Sequence, residues 1–319
     1  MSAAVDVVVP TFNGFELTES CLEQLGRQTI PHRVIVADDG STDGTPERVR
    51  ERFGARVVEL GANRGFAAAC DAGVAAGNGD VVVLLNNDVD AEPEFLARLV
   101  APLEDDARAG SVAATLVQPG GALIDSVGLT ADRTLAGFAR LHGRPLAEAG
   151  AERPRLAGPS GGAGAYRRRA WEETGGLDER IFAYHEDLDL ALRLRALGWG
   201  ALAAPDARGL HAGGATMGRR AASQRERAGF ARGYLLRRYG VLRTPAAPRA
   251  LATEALVCAA DALGSRDLAA ARGRLAGWRA GGGLSTHASP PADAVDAGIG
   301  FGESIRLRRA ARAEGGAGA

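Results

Sequence analysis

Residues 81–90 read VVVLLNNDVD, five apolar residues that stop at Asn86, Asn87, Asp88 and, one valine later, Asp90. A short Val-rich run closed by a turn reads as a strand buried on both faces, the kind found inside a parallel sheet. Open α/β sheets put their ligands at the carboxyl ends of such strands. Asp88 and Asp90 would stand at that edge, where carboxylate oxygens suit a divalent cation. The plain alternative is a polar turn opening the next helix, with Asp90 or Glu92 near its N-terminus. The flanking sequence decides between them.

Upstream, residues 5–9 form a β-branched run that ends in Pro10-Thr11-Phe12-Asn13-Gly14. A helix follows over 16–26, with Leu17, Cys21, Leu22 and Leu25 on one face. A second strand, 33–37, runs into Asp38-Asp39-Gly40-Ser41-Thr42-Asp43, a loop and helix start whose N-cap is Ser41, Thr42 or Asp43. A helix to Phe53, a strand over 57–60, a turn at Asn63-Arg64-Gly65-Phe66 and an alanine-rich helix over 67–76 complete the pattern. Strand–helix occurs three times before the opening strand, which predicts a doubly wound α/β sheet with right-handed crossovers. Polar clusters at Thr11/Asn13, Asp38/Asp39 and Asn86/Asp88/Asp90 then converge on one crevice.

Downstream, a helix is expected to about Leu103 and a strand over 111–117. Residues 120–159 read as an irregular insertion, with short strands near 123–124 and 134–140. The small-residue segment 158–166 lets backbone approach a ligand closely. A helix opens near Phe182 with Glu186, Asp187 and Asp189 in its first turn, where the helix dipole favours negative charge. Those acids either cap the helix or do chemistry. A strand over 199–204 precedes a loop, 209–216, with a lone histidine, His211. The basic amphipathic segment 219–239 reads as a packed helix with a solvated arginine face, a membrane-surface role being the sharper alternative. Two alanine-rich helices occupy 250–279. The rest is expected to be loose, apart from a helical stretch over 305–312. The expected layout is an α/β unit over 1–218, a helical extension over 219–280 and a flexible tail over 281–319.

The 319 residues carry 38 basic against 39 acidic side chains, every basic one an arginine, so bulk charge gives no case for nucleic acid. Cys21, Cys70 and Cys258 are odd in number and include no CxxC, which argues against a disulfide framework or structural zinc and for a reducing compartment. With no signal-like start and no apolar run of membrane-spanning length, the expected place is the cytoplasm, with peripheral contact at the inner face of the plasma membrane left open.

The segments VVVPTFNG, ADDGSTDGT, NRGFAAACDAG, LLNNDVDAEP, GGLDERIFAYHEDLDLALRLRALGW and HAGGAT stand in the order found in family-2 inverting glycosyltransferases with a GT-A fold. The chain resembles that family over roughly residues 5–240, most of all bacterial rhamnosyltransferase-like members that build cell-surface polysaccharides. The resemblance implies a nucleoside-diphosphate-sugar donor and a glycan or lipid-linked acceptor. It implies that Pro10, Thr11, Asn13 and Asp38 or Asp39 hold base and ribose, and that Arg64, Gly65, Asn86 and Asn87 lie along the donor. Asp88 would bind Mg²⁺ or Mn²⁺, nearly alone or sharing the job with Asp90, and His211 matches the family's late histidine, a further metal or phosphate contact. An inverting displacement needs a base for the acceptor hydroxyl, and the family's ED motif falls on Glu186–Asp187, with Asp187 the first choice and Glu186 the second. The family's metal motif is often written DxD, and here its first acid is Asn86.

Rival readings lack their signatures. A dinucleotide-binding dehydrogenase wants GxGxxG after the first strand, where this chain has PTFNG. A nucleotidyltransferase wants a glycine- and basic-rich loop there. A non-catalytic sugar-nucleotide-binding protein of the same fold is the remaining alternative, and Asp88, Glu186, Asp187 and His211 occurring together argue against it.

Overall fold

The structure, a computed structural model, describes residues 3–212, 222–282 and 292–314. The first half alternates as expected: β1 (Val5–Thr11), α1 (Phe15–Leu25), β2 (Arg33–Asp38), α2 (Thr45–Phe53), β3 (Arg56–Glu59), α3 (Phe66–Ala76), β4 (Val81–Leu85). Then come β5 (Val89–Ala91), α4 (Phe95–Asp105), β6 (Ala109–Val117), β7 (Ile124–Val127), β8 (Leu129–Ala131), β9 (Gly137–Ala139), β10 (Ala163–Arg167) and α5 (Arg168–Thr174). The chain continues through α6 (Glu186–Ala196), β11 (Gly200–His211), α7 (Ala222–Arg238), α8 (Ala247–Ser265), α9 (Ala269–Ala280) and α10 (Phe301–Glu314).

The main sheet has the order β3-β2-β1-β4-β10-β6-β11-β5, with β7 added on β6. Strands β1 to β4 are mutually parallel, as are β6 and β11. Side chains alternate across β4. Val81, Val83 and Leu85 enter one core with Leu25, Phe95 and Leu99, while Val82 and Leu84 enter the other with Val74, Trp171 and Leu190. Both faces are covered, which is why the strand reads as an unbroken apolar run.

Four expectations change. Residues 163–166, the end of the small-residue segment expected to let backbone approach a ligand, belong to β10, which runs antiparallel between β4 and β6. Its alanines and glycine give no β-branched signal, yet a Cβ on Gly164 would lie 2.4 Å from Pro159, so only a small residue fits there. Strand β11 continues past an irregularity between Ala203 and Arg208, which puts His211 at a strand end rather than in a loop. Residues 213–216 of that motif lie outside the described residues. The expected strand at 134–140 shrinks to β9, paired with β8. Finally, the described part of the supposed tail is packed: Ile299 and Ser304 are buried, and Asp296 accepts a hydrogen bond from the Arg155 N–H at 2.7 Å.

The arginines of α7 are not a solvated face either. Arg232 and Arg238 are buried, Arg232 on Glu254 of α8 (2.7 Å) and Arg238 on Asp178 (3.0 Å). Helices α7 and α9 meet backbone to backbone. A Cβ on Gly233 would lie 2.0 Å from the Arg274 carbonyl, and one on Gly277 1.9 Å from that of Phe230. Among the described residues no helix is long and apolar enough to cross a membrane.

Candidate active site

The carboxyl ends of β1, β2 and β4 are tied together by side chains the sequence marked. Asn87 donates to Thr18 (3.0 Å) and Thr11 (3.3 Å), which fastens the end of β4 to β1 and α1. Pro10 lies buried within β1, in register with Ala37 of β2. Asn13 sits at φ 55°, and its side-chain Oδ1 accepts the Thr42 N–H at 2.9 Å. One Asp38 oxygen accepts the N–H groups of Gly40 (3.1 Å) and Ser41 (2.9 Å); the other is buried and unpaired. Asp39 accepts the N–H groups of Arg64 (2.6 Å) and Gly65 (2.8 Å), while burial raises its carboxyl above the usual range. Gly65 adopts φ 97°, and a Cβ there would lie 2.5 Å from the Phe182 carbonyl, so this close approach needs glycine. The Arg64 guanidinium pairs with Glu179 at 2.8 Å.

Past β4 the two acids part. Asp88 is buried, and its Oδ1 lies 3.3 Å from His211 Nε2, within ion-pair range but without hydrogen-bond geometry. Asp90 is exposed and accepts the Ser20 hydroxyl of α1 at 2.8 Å. On the far side of the ring, His211 Nδ1 meets Asp125 Oδ2 at 2.8 Å. Asp125 belongs to β7, and its own carbonyl lies 2.6 Å from His142 Nδ1. Burial alone would lower the His211 pKa, but the Asp125 and Asp88 carboxylates outweigh it and raise it to about 9. Among the described residues no three His, Cys, Asp or Glu side chains converge as a complete cage. Asp88 and His211 are the pair that faces inward together.

The acidic pair opens α6. Tyr184 (φ 71°) and His185 (φ 63°) are consecutive left-handed residues, a conformation side chains rarely adopt and one that clusters at functional sites. This turn delivers Glu186 and Asp187 into the interior. Asp187 accepts the Gly161 N–H at 2.8 Å and the Leu188 N–H at 2.7 Å. Burial pushes its carboxyl up while those two donors pull it down. Glu186 is buried with one oxygen unpaired; burial first, and then the adjacent Asp187 charge, raise it well above the carboxylate range. The two N–H donors thus favour the charged form at Asp187, while burial and the neighbouring charge favour the protonated form at Glu186.

The loop between β9 and β10 joins these groups. Ser160 hydrogen-bonds Ser126 at 3.1 Å, beside Asp125. Gly161 holds Asp187, and the Gly162 carbonyl accepts the Asn86 N–H at 2.9 Å. A Cβ on Gly162 would lie 3.8 Å from His211 Nε2. Carboxylate pair, histidine and the end of β4 thus surround one short glycine turn.

The family model described as glycosyl transferase family 2 matches residues 6–175, from β1 through α5. The chain belongs to that family. It is a glycosyltransferase, and Glu186, Asp187 and His211 lie beyond the matched residues. It is 31% identical over 248 residues to the N-acetylglucosaminyl-diphospho-decaprenol L-rhamnosyltransferase of Mycobacterium tuberculosis (strain CDC 1551 / Oshkosh), covering 70% of this chain and 80% of that one. A dodecaprenyl-phosphate galacturonate synthase of Rhizobium johnstonii is 32% identical over 112 residues, 32% of this chain and 33% of the relative. The fold is shared with a mannosyltransferase of Pyrobaculum calidifontis solved with GDP-Man and Mn²⁺, at a TM-score of 0.55 and 21% identity over 98% of this chain and 81% of that one. S. aureus TarS 1–349 shares it too, at 0.51 and 16% identity over 73% and 64% of the two chains. The glycosyltransferase thus has the GT-A arrangement its sequence led one to expect.

Sequence reasoning missed Asp125, His142 and the N–H of Gly161. Asp125 sits in an aperiodic stretch, and its role depends on a histidine 86 positions away. The donor on Gly161 is a backbone group, which no side-chain motif can flag.

Proposed function

We propose that this glycosyltransferase moves a sugar, L-rhamnose on the strength of the mycobacterial relative's name, from a nucleoside diphosphate to a hydroxyl of a lipid-linked glycan acceptor, inverting the anomeric carbon. The observation that carries this reading is the turn at Gly161–Gly162, which bonds Asp187 on one side and the end of β4 on the other (2.8 and 2.9 Å). A base and a diphosphate site belong on opposite sides of a transferred sugar, as a single in-line displacement requires.

In this reading Asp187 takes the acceptor hydroxyl's proton. Its two N–H donors favour the ionised form it needs. Glu186 stays neutral and adds no second charge. Asp38 offers its unpaired oxygen to an N–H of the base, with Pro10, Thr11, Asn13 and Asp39 shaping that pocket. Arg64, Gly65, Asn86 and Asn87 line the donor.

The residues also fit a divalent cation. Asp88 has a buried unpaired oxygen facing His211 Nε2, and Asp125 fixes the other ring nitrogen, a carboxylate–histidine pairing common behind metal ligands. A bound Mg²⁺ or Mn²⁺ would neutralise charge developing on the leaving diphosphate. Asp88 and His211, its ring having given up the Nε2 proton, would hold it, leaving the remaining positions to phosphate oxygens and water. Asp90, turned to Ser20, is the weaker ligand. The segment 120–159 would line the acceptor side.

A thermal-shift panel of nucleoside-diphosphate sugars, with and without Mn²⁺, tests the donor claim. One donor should stabilise the chain by about 2.7 kcal/mol at a hundred times its Kd, and more with Mn²⁺ than without. A panel in which no nucleotide-sugar shifts the transition contradicts it.

A further inference from the structure

Helix α8 is inside out. Its buried or half-buried positions include Thr253, Glu254 and Asp261, while its exposed positions are Pro248, Leu251, Ala252, Ala255, Leu256, Ala259, Ala260, Leu263 and Gly264. Leu251, Leu256 and Leu263 are 58%, 53% and 83% exposed. An ordinary surface helix has the opposite polarity.

The inward face has a clear cause. Glu254 takes Arg232 of α7 (2.7 Å), Arg274 of α9 (2.7 Å) and Arg308 of α10 (3.1 Å), and Asp261 takes Arg225 of α7 (3.3 Å). These pairs tie α8 to its neighbours by charge and leave its apolar residues outward. From Leu251 to Leu263 the apolar strip runs about 18 Å at the helical rise.

The charges around the strip say what it meets. Over residues 241–282 the exposed charged side chains are Arg243, Arg266, Arg272 and Arg279. The carboxylates of that stretch, Glu254, Asp261 and Asp267, are none of them exposed, and each is held by an arginine. The region therefore offers water mainly apolar and cationic groups, its most accessible carboxylate, Asp267, being paired with Arg225. That pairing suits the headgroup–acyl boundary of an anionic bilayer, where leucines enter the boundary and arginines meet phosphates. A second copy of this face would set the exposed Arg243, Arg266, Arg272 and Arg279 against their own kind, with no fully exposed carboxylate of residues 241–282 to pair them.

We propose that α8, with its flanking arginines, is the surface by which this glycosyltransferase lies on an anionic membrane. The inference deepens the reading above, resting on its lipid-linked acceptor for the choice of a bilayer as occupant. It also moves any membrane role away from α7, whose Arg225, Arg232 and Arg238 are held in ion pairs and whose Arg227 and Arg237 lie over the Phe182 and Trp278 rings.

Flotation of the full chain with phosphatidylcholine vesicles, with or without phosphatidylglycerol, tests it. The chain should bind the anionic vesicles, less so as salt rises, and should not bind phosphatidylcholine alone. A variant carrying Leu251→Glu, Leu256→Glu and Leu263→Glu should bind at least about tenfold more weakly, with unchanged melting and unchanged lipid-free hydrolysis of the donor. A wild-type chain that ignores anionic vesicles overturns the proposal, as does a variant that binds them equally well. If the variant instead turns a dimer into a monomer and keeps its vesicle binding, the face is a self-interface and the proposal fails. Vesicle binding needs no donor and donor hydrolysis needs no vesicle, so each reading fails separately.

Discussion

Asp187→Asn lowers turnover by about 100- to 10,000-fold, the usual contribution of a positioned base, while nucleotide-sugar binding stays as it was. Asparagine keeps the shape of Asp187 and an oxygen for the Gly161 N–H, but cannot accept the acceptor's proton. Steady-state kinetics beside calorimetric titration of the nucleotide separate the two effects. Because burial raises the Asp187 carboxyl against its two N–H donors, the base loses its proton above the ordinary carboxylate range. It acts only when ionised, so kcat/KM should rise with pH through that region and fall on acidification. The Asn variant's residual rate should lack that limb. Full activity in the variant, or an identical pH profile, contradicts Asp187 as base.

The second large effect concerns Asp88. Asp88→Ala should lower Mn²⁺-dependent activity by about 100-fold or more, on the scale of losing a key electrostatic group at a leaving oxygen. Asp90→Ala should leave it nearly unchanged, because Asp90 spends its carboxylate on Ser20. Asp125→Asn should weaken Mn²⁺ binding in the presence of nucleoside diphosphate by about 10- to 100-fold, since it holds only the far nitrogen of His211. Mn²⁺ titrations followed by electron paramagnetic resonance read binding directly. Equal losses from Asp88→Ala and Asp90→Ala, or activity indifferent to EDTA, contradict this assignment.

The parallel half of the sheet was legible because its strands are β-branched and its turns polar. VVVLL can be a strand only if both its faces are covered, and α3 and α4 follow from that. The antiparallel strand β10 was not legible. Ala163 and Ala165 are buried in the core and Gly164 lies against Pro159, a constraint invisible until the neighbours are in place. The acids divide in the same way. Asp88 and Asp90 are alike in sequence, two apart on one strand end, and only Ser20 and His211 tell them apart. Glu186 and Asp187 are adjacent, and a backbone N–H donated by Gly161 gives one the charge and leaves the other the proton. The polarity of α8 was hidden for a related reason: Glu254 and Asp261 look solvent-facing until four arginines arrive from α7, α9 and α10.

The most direct test of the account is the anomeric configuration of the product. The donor that stabilises the chain would be supplied with Mn²⁺ and a lipid-linked acceptor, and the new linkage read from the one-bond carbon–proton coupling at its anomeric carbon. A single displacement based on Asp187 predicts the configuration opposite to the donor's. A product that keeps the donor's configuration contradicts it.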